Sequence, residues 1–375
     1  MMIKIIWFKN SHEQSLNWLK FGLMQLHKKK KIIFVEKDND QLKFENVSDA
    51  IKNHKHRRTV ILKVIKNGLT KFIFADAEDS FFHLSHLIKD IDIYFISSYN
   101  TDFFIHKKTD YLLSWHNQEE VMEYKEIATD LISKYGNEFY KVKKLFPIGP
   151  GLDLQLPKLG WIQSKLKNLL FKLHKSLLGS NNWEEAYKLF EMRYAKLLSY
   201  RNEPLLYDIV ALDTLWGWPE HRMELHNQLM LLSSQFNILS ELRFNENKHT
   251  KHIDPNDFPI VSNLINGDYE QKLVSSRLGV FATGYHFGWR NIVMVALMAG
   301  IPIYSDEIIL EAYFDWNLFK IFYNKGNFEK LPNLLSSITE EEWLIIKKHN
   351  QKVFDEFMHP LKVAEYFVNT ISESL

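Results

Sequence analysis

Cysteine is absent from the 375 residues of the chain. Disulfide bonds, thiol catalysis and zinc sites built from cysteine are therefore excluded. An excess of one charge is also missing, because 47 Lys and Arg face 46 Asp and Glu, for a formal net charge of +1. Proteins dedicated to nucleic acids usually carry a strong basic excess, so this balance argues against that class and leaves only a local basic patch open.

Long apolar runs are missing as well. No window approaches the roughly 20 uncharged apolar residues that a membrane-spanning helix needs. The apolar stretch near Met1 is short and no small-residue cleavage site follows it, so we predict no signal peptide. The expected location is the cytoplasm, with the inner face of the membrane kept open as an alternative.

Aromatic residues, by contrast, are plentiful and make up 14% of the chain. Two interpretations stay open. One is large buried cores, which we favour because aromatic side chains are usually buried. The other is sugar-binding surfaces, because aromatic rings stack on the apolar faces of pyranoses.

Short apolar runs alternate with polar, helix-like stretches along the first 110 residues. The predicted strands lie at residues 3–8, 31–36, 59–65, 71–75 and 91–96, and a predicted helix lies at 12–27. Continuous apolar strands separated by helices are typical of a largely parallel sheet that is covered on both faces. Prolines and glycines then break regular structure at 146–157, and residues 158–200 have helical spacing.

The same alternation resumes after a break at 202–204. The predicted strands lie at 206–212, 236–242, 278–283 and 301–305, and the predicted helices at 219–233, 268–276, 290–299, 340–357 and 360–373. We therefore predict an α/β protein of two Rossmann-like, doubly wound domains that face a central cleft. The cleft is the expected ligand site, because open α/β sheets bind ligands beyond the carboxyl ends of their strands.

The domain boundaries follow from the same breaks. The first domain is placed at 1–203, with a helical insert at 158–200. The second domain is placed at 204–350, and C-terminal helices follow at 351–375.

The clearest pattern begins after residue 278. A buried strand ends at Thr283, a loop with Gly284 and Gly288 follows, and a helix begins near Arg290. The glycines permit close approach of a ligand, the helix N-terminus suits a phosphate, and Arg290 adds a bidentate donor for a diphosphate. The alternative is that the glycines serve packing alone, since two glycines in a strand–turn–helix unit are a weak signal.

This order of strand, Gly/His loop and helix, followed by 298–302 (MAGIP) and 303–306 (IYSD), resembles the donor-binding segment of glycosyltransferases with the GT-B fold. The resemblance covers residues 206–325, including 269–278, which is similar to the helix that leads into this strand. Over the first 200 residues the resemblance is architectural only. It points to the bacterial polysaccharide-biosynthesis type, with a C-terminal domain like that of glycosyltransferase family 1.

The resemblance implies a nucleotide-sugar donor held by the second domain, an acceptor held by the first, and terminal helices that cross back to the first domain. It implies no metal, because GT-B enzymes neutralise the leaving diphosphate with positive side chains and a helix terminus. The donor-binding residues to which it points are Arg243, Thr283, Gly284, Tyr285, His286, Gly288, Trp289, Arg290, Asn291, Asp306 and Glu307.

One departure concerns the retaining members of the family, which carry two glutamates flanking this loop and helix. The corresponding positions here are Phe287 and Val295. The usual carboxylate contact to the donor sugar is therefore missing or comes from elsewhere. Asp306 and Glu307 are candidates, and a solvated loop is the alternative for both. Arg243 is either a phosphate contact at the end of a strand or a surface arginine.

Acidic residues follow the predicted strand at 71–75 directly, namely Asp76, Glu78 and Asp79. If transfer inverts the anomeric centre, a general base must take the acceptor proton, and Asp76 is the candidate because clustered acids raise one another's pKa. Asp79 suits capping of the next helix. His12 follows the first strand and is a second candidate base, although a lone loop histidine is more often structural.

Residues 158–178 form an amphipathic, basic stretch. It is either a peripheral contact with an anionic membrane, which would suit a lipid-linked acceptor, or a helix packed on the protein with solvated lysines.

Three functions stay open. The first is a glycosyltransferase of surface polysaccharide synthesis, which moves a sugar from a nucleotide-sugar to a glycan or lipid-linked acceptor. The second is a sugar-nucleotide epimerase or hydrolase on the same fold. The third is a non-catalytic glycan-binding protein, to which the missing glutamates give weight.

Overall fold

The computed structural model of the protein describes residues 2–10, 13–54, 57–113, 115–152, 183–244, 246–247, 250–254, 269–288, 290–325 and 328–374. The predictions made for His12, for Trp289 and for the basic stretch 158–178 lie outside these residues. Of the predicted helical insert 158–200, the described part contains the helix Trp183–Ser199.

Among the described residues, six strands form the first sheet. They are β1 Lys4–Lys9, β2 Ile33–Asp38, β3 Thr59–Lys66, β4 Leu69–Asp76, β5 Ile93–Ile96 and β6 Val142–Lys144, in the order β2-β1-β3-β4-β5-β6. All run parallel except β3, which is antiparallel to both of its neighbours, β1 and β4. The largely parallel sheet predicted from the sequence is therefore present, with one reversed strand.

The prediction that helices separate these strands is wrong between β3 and β4. A two-residue turn joins them, with Lys66 paired to Leu69 across the ladder. Both turn residues have positive φ, 52° at Asn67 and 82° at Gly68. A tight hairpin of this kind requires positive φ at both positions, and Asn-Gly is the strongest short-range signal for it. The sequence contained that signal.

Helices cover the first sheet. They are α1 Asn17–Lys28, α2 Asp49–Lys52, α3 Thr101–Phe104, α4 Gln118–Tyr135 and α5 Trp183–Ser199. Most residues of α1 are buried, which places it in the core of the molecule. Short 3₁₀ turns lie at Gln14–Leu16, Asn39–Phe44, Phe81–His83, His86–Lys89, Phe139–Lys141, Tyr200–Asn202, Tyr285–Phe287 and Trp316–Leu318.

Within the described part of the second half, five parallel strands form one sheet. They are β7 Tyr207–Thr214, β8 Ile238–Arg243, β9 Ser276–Phe281, β10 Ile303–Ser305 and β11 Ile321–Tyr323, in the order β11-β10-β9-β7-β8. The helices are α6 Pro219–Leu232, α7 Tyr269–Val274, α8 Asn291–Ala299, α9 Leu331–Ser337 and α10 Glu340–Val353. The predicted strands of this half are confirmed, and only β11, three residues long, was missed.

The last helix, α11 Pro360–Ser374, lies against α1 of the first half. A Cβ atom on Gly22 would lie 1.9 Å from the Pro360 carbonyl oxygen, so glycine permits this close approach. A π-helical turn, Phe354–Met358, leads into α11, and Trp18 Nε1 donates a hydrogen bond to the Met358 oxygen at 2.7 Å.

The predicted fold class, two Rossmann-like α/β units that face each other, is confirmed. The exact domain boundaries stay predictions. None of the helices that the structure describes is both long enough and apolar enough to cross a membrane.

Candidate ligand-binding cleft

A cleft of about 650 Å³ lies between the two halves, at the carboxyl ends of β10 and β11. Its lining residues are Leu112, Leu113, Trp115, Glu307, Ile308, Leu310, Glu311, Asp315, Trp316, Asn317, Tyr323 and Lys325. The volume lies in the range of small-molecule sites, and the position is the one at which open α/β sheets bind ligands.

The cleft wall combines aromatic rings with carboxylates. Trp316 donates its Nε1 hydrogen to the Leu310 oxygen at 2.9 Å, which fixes the indole. Burial, with further contributions from Glu307 and Asp315, raises the pKa of Tyr323 to about 12, so its hydroxyl stays a donor at neutral pH. Carboxylates accept hydrogen bonds from hydroxyls and aromatic rings cover apolar faces, a combination that suits a sugar.

The glycine loop predicted to hold the donor closes on itself. Gly284 and Gly288 exchange backbone hydrogen bonds of 3.2 and 3.1 Å. A Cβ atom on Gly284 would lie 2.5 Å from the Gly288 oxygen, so this turn requires glycine there. The space beside the loop is only about 30 Å³, but it shares the lining residues Glu307, Ile308 and Leu310 with the large cleft. A nucleotide therefore has room in the cleft next to the loop, not within the loop's own pocket.

The tip of this loop contacts the other half of the protein. His286 and Phe287 both have left-handed backbones, with φ of 55° and 62°. Phe287 is only 3% exposed, and its ring centroid lies 5.0 Å from that of Tyr124 and 6.0 Å from that of Tyr111. The Ser80 hydroxyl donates to the His286 oxygen at 2.6 Å. Non-glycine residues adopt this conformation only when their surroundings impose it, and here the contact with the first half does so.

Beneath the loop, Asp213 lies between two arginines. Arg222 Nη1 donates to Asp213 Oδ2, and Arg290 Nη1 lies 3.0 Å from the same oxygen. Arg222 also donates to the Gly217 and Thr283 oxygens at 3.0 and 2.9 Å. Burial raises the pKa of Asp213, but the two guanidiniums outweigh it and hold that pKa below its usual value. The Arg290 side chain keeps 18% exposure and lines the pocket at the loop.

Asp306 is fully buried, at 0% exposure. Its carboxylate accepts hydrogen bonds from Thr283 N at 2.7 Å, His221 Nε2 at 2.9 Å and Asn324 Nδ2 at 2.5 Å. These bonds join the ends of β9, β10 and β11 to the first turn of α6. Asp306 therefore has no exposed surface that could contact a nucleotide-sugar. Its hydrogen bonds hold the neighbouring elements together instead.

The other predicted donor residues are spread along the edge of the sheet. Glu307 is exposed and lines the cleft. Asn291 is the exposed first residue of α8, next to the loop. Arg243 is exposed at the end of the edge strand β8, with β7 between it and β9. Only the backbone of Tyr285 is described. The structure thus brings Glu307 to the cleft and leaves Arg243 about two strand spacings, roughly 10 Å, from β9.

Asp76, the predicted base, lies at the end of β4 and is 1% exposed. The Tyr94 hydroxyl and the Glu78 backbone N–H, at 2.9 Å, donate to its two oxygens. Burial raises the pKa of Asp76 to about 7 despite these hydrogen bonds. Asp76 lines a separate cavity of about 370 Å³ whose described lining comes from the first half. The capping assigned to Asp79 belongs to Ser80, whose hydroxyl accepts from Phe82 N.

The buried Asp76 predicts a pH dependence of stability. Its pKa is raised from 3.8 to about 7 on folding, so the folded state holds the proton more tightly than the unfolded state does. The contribution of this carboxyl group to the free energy of unfolding therefore falls as the pH rises from 4 to 7. The Asp76→Asn variant lacks this titration. The difference between its free energy of unfolding and that of the wild type is therefore expected to rise by about 4 kcal/mol in favour of the variant between pH 4 and pH 8. Urea unfolding at a series of pH values measures this, with the exposed Asp130→Asn as control. A difference that stays flat with pH would contradict the assignment.

Glu78, Asp79 and His83, beside this cavity, place potential metal-ligand atoms within 4.8 Å of one another. Both carboxylates already have protein partners, since Arg58 Nη1 lies 3.4 Å from Glu78 Oε2 and 3.1 Å from Asp79 Oδ2. A metal-free protein stays the prediction.

Sequence reasoning missed Trp115 and His221, which meet across the two halves. Their ring centroids lie 3.7 Å apart with an interplanar angle of 5°. Neither residue stands in a motif, and no local pattern links positions so far apart in the chain.

No protein-family model matches the sequence, and no curated protein matches it. Among solved structures, the N-terminal domain of Candida albicans trehalose-6-phosphate phosphatase is 14% identical with a TM-score of 0.34, covering 63% of this chain and 50% of that one. Anabaena Alr3699/HepE in complex with UDP-glucose is 12% identical with a TM-score of 0.35, covering 99% and 100%.

The wall teichoic acid polymerase TagF is 9% identical with a TM-score of 0.32, covering 98% of this chain and 88% of that one. The chain spans about half the length of the trehalose-6-phosphate phosphatase chain that it matches. Similarities of this size assign no activity to the chain.

Proposed function

We propose that the protein is a glycosyltransferase that moves a sugar from a nucleotide-sugar to a glycan or lipid-linked acceptor in surface polysaccharide synthesis, without a metal. The observation that carries the proposal is the cleft of about 650 Å³ between two facing α/β units, contiguous with a glycine loop and a helix N-terminus. Closure of the two units over the cleft would exclude water, which would limit hydrolysis of an activated donor.

The donor's diphosphate is placed where the cleft meets the small pocket of the glycine loop, beside the shared lining residues Glu307 and Leu310. The N-terminus of α8 carries a partial positive charge, and the partly exposed Arg290 guanidinium lines that small pocket. Asp213 fixes Arg290, so its charge is preorganised there. The sugar then lies toward Glu307, Trp316 and Tyr323, where carboxylate, indole and phenol groups line the wall.

Asp76 stays the proposed base, together with His12. A pKa of about 7 suits proton transfer at neutral pH. Asp76 lines a cavity that shares no described lining residue with the cleft. Use of Asp76 as a base therefore requires a rearrangement that opens this cavity toward the donor.

The proposal is tested by calorimetry of the purified protein against UDP, GDP, CMP and the common UDP- and GDP-sugars without added metal, followed by transfer assays with the donor that binds.

Glu307→Gln removes one exposed carboxylate from the cleft. It is expected to lower the affinity for the nucleotide-sugar by about 10- to 100-fold, which corresponds to the loss of one charged hydrogen bond. The exposed Glu341→Gln, on α10 outside the cleft, is the matched control. Equal affinity in both variants would place the sugar elsewhere.

A second candidate, a non-catalytic glycan-binding protein, is favoured by the burial of Phe287 and Val295 at the positions of the family's glutamates. It predicts binding of glycans without any nucleotide. An epimerase or hydrolase instead predicts turnover of the nucleotide-sugar with no acceptor present.

A further inference from the structure

Trp115 belongs to the first half of the protein and lines the cleft. Its indole is stacked on His221, a residue of the second half. We infer that Asp306 and His221 are positioning residues that fix Trp115 against the ligand's sugar. This inference rests on the proposed function, and it assigns to Asp306 a role other than direct contact with the donor.

The first of the two contacts that connect Asp306 to Trp115 is the hydrogen bond between Asp306 and His221. A carboxylate oxygen accepts, so His221 Nε2 carries the hydrogen in this 2.9 Å bond and the plane of the imidazole is fixed. Thr283 N and Asn324 Nδ2 hold the carboxylate from two further sides. Asp306 is therefore rigid, and the ring that it orients is rigid as well.

The second contact is the stack of the His221 ring on Trp115. The planes are almost parallel, at 5°, and the centroids are 3.7 Å apart. Two more distant aromatic neighbours of Trp115, His116 and Trp218, approach at steep angles of 75°. One face of the indole is thus covered by His221, and the indole can offer only its remaining surface to the cleft.

The segment around Trp115 is anchored mainly toward the protein interior, where Leu113 is 6% exposed. Leu112 is 67% exposed at the cleft mouth. His116 turns back toward the protein, where its Nδ1 accepts from Leu113 N at 3.1 Å and its ring lies 4.9 Å from that of Trp218. The stack on His221 is thus the shortest ring contact of the indole in the described part of the chain, and it holds the indole, and with it the shape of the sugar end of the cleft, from the side of the second half.

Two variants of His221 separate this role from general stability. His221→Ala removes both the stack and the hydrogen bond, whereas His221→Phe keeps an aromatic ring against Trp115. The exposed Glu224→Ala on the same helix is the control. Calorimetry measures the affinity for UDP-glucose and for UDP. His221→Ala is expected to lower the affinity for UDP-glucose about tenfold and to leave the affinity for UDP unchanged, because the indole contacts the sugar and not the nucleotide. His221→Phe is expected to restore part of the loss, because it keeps the stacked ring but not the hydrogen bond by which Asp306 orients that ring.

Hydrogen exchange without ligand provides the second readout. Backbone amides at 115–121 are expected to exchange about tenfold faster in His221→Ala and at a rate between those of His221→Ala and the wild type in His221→Phe. Equal losses for UDP and UDP-glucose, or a phenylalanine variant as weak as the alanine variant, overturn the inference. If the wild type binds neither probe, the proposed function fails for this donor, and unchanged exchange in His221→Ala separately overturns the positioning role.

Discussion

Asp213→Ala is expected to lower the free energy of unfolding by about 3–5 kcal/mol, a large fraction of the stability of an ordinary domain. The substitution removes the carboxylate that Arg222 and Arg290 share. Arg222 is almost completely buried, and its remaining partners are the neutral oxygens of Gly217 and Thr283. A buried guanidinium without a counter-charge is strongly destabilising, which is why removing one partner costs far more than the ion pair itself contributes.

Urea unfolding of the variant measures this effect, and Glu340→Ala provides the matched comparison. Glu340 also pairs with an arginine, Arg277, but its side chain is 75% exposed. Exposed ion pairs contribute about 1 kcal/mol or less, so the control is expected to stay close to the wild type. A loss at Asp213 as small as that at Glu340 would show that the cluster beneath the glycine loop is hydrated in solution.

Phe287→Ala is expected to lose about 3–5 kcal/mol, because it empties the aromatic cluster that joins the two halves. The more specific expectation concerns glycine. The φ of Phe287 is 62°, where a Cβ atom costs about 1–2 kcal/mol and glycine has no such penalty. Phe287→Gly is therefore expected to be more stable than Phe287→Ala by about 1 kcal/mol, the reverse of the usual order.

The control is Phe281, a buried phenylalanine in the strand β9. Glycine in a strand is worse than alanine, so Phe281→Gly is expected to be the less stable member of its pair. Chemical denaturation of the four variants measures whether the glycine or the alanine variant is the more stable at each position. The same order at both positions would mean that the loop relaxes out of the left-handed conformation once the ring is gone.

Much of the fold was predictable because strands buried on both faces have a simple signature. Runs such as 59–65 and 206–212 are largely apolar, interrupted by Lys63 and Asp208, and both are strands, β3 and β7. Direction was not predictable from the same signature, because an apolar run reads alike in a parallel and an antiparallel strand. The reversal of β3 depends on the turn at Asn67 and Gly68, where the prediction placed a helix between the strands.

The position of the glycine loop was predictable from the sequence, whereas its contacts were not. The loop between β9 and α8 lies where the pattern placed it, and the helix begins at Asn291. Which way its residues face depends on the other half of the protein. Phe287 packs on Phe81, and Trp115 on His221, across separations in sequence that no local periodicity reaches. Val295, at the second glutamate position of the family, is a core residue of α8.

The absence of cysteine makes the central claim directly testable. Asn317→Cys places a single thiol on the cleft wall, and Met192→Cys places one on the exposed face of α5, away from the cleft. The rate of thiol modification is measured with and without UDP-glucose, and with the other nucleotide-sugars in turn. We predict that one of them binds saturably and slows modification at residue 317 at least tenfold while leaving residue 192 unchanged. Binding that leaves the rate at residue 317 unaltered, or no binding by any nucleotide-sugar, would contradict the assignment of the cleft as the donor site.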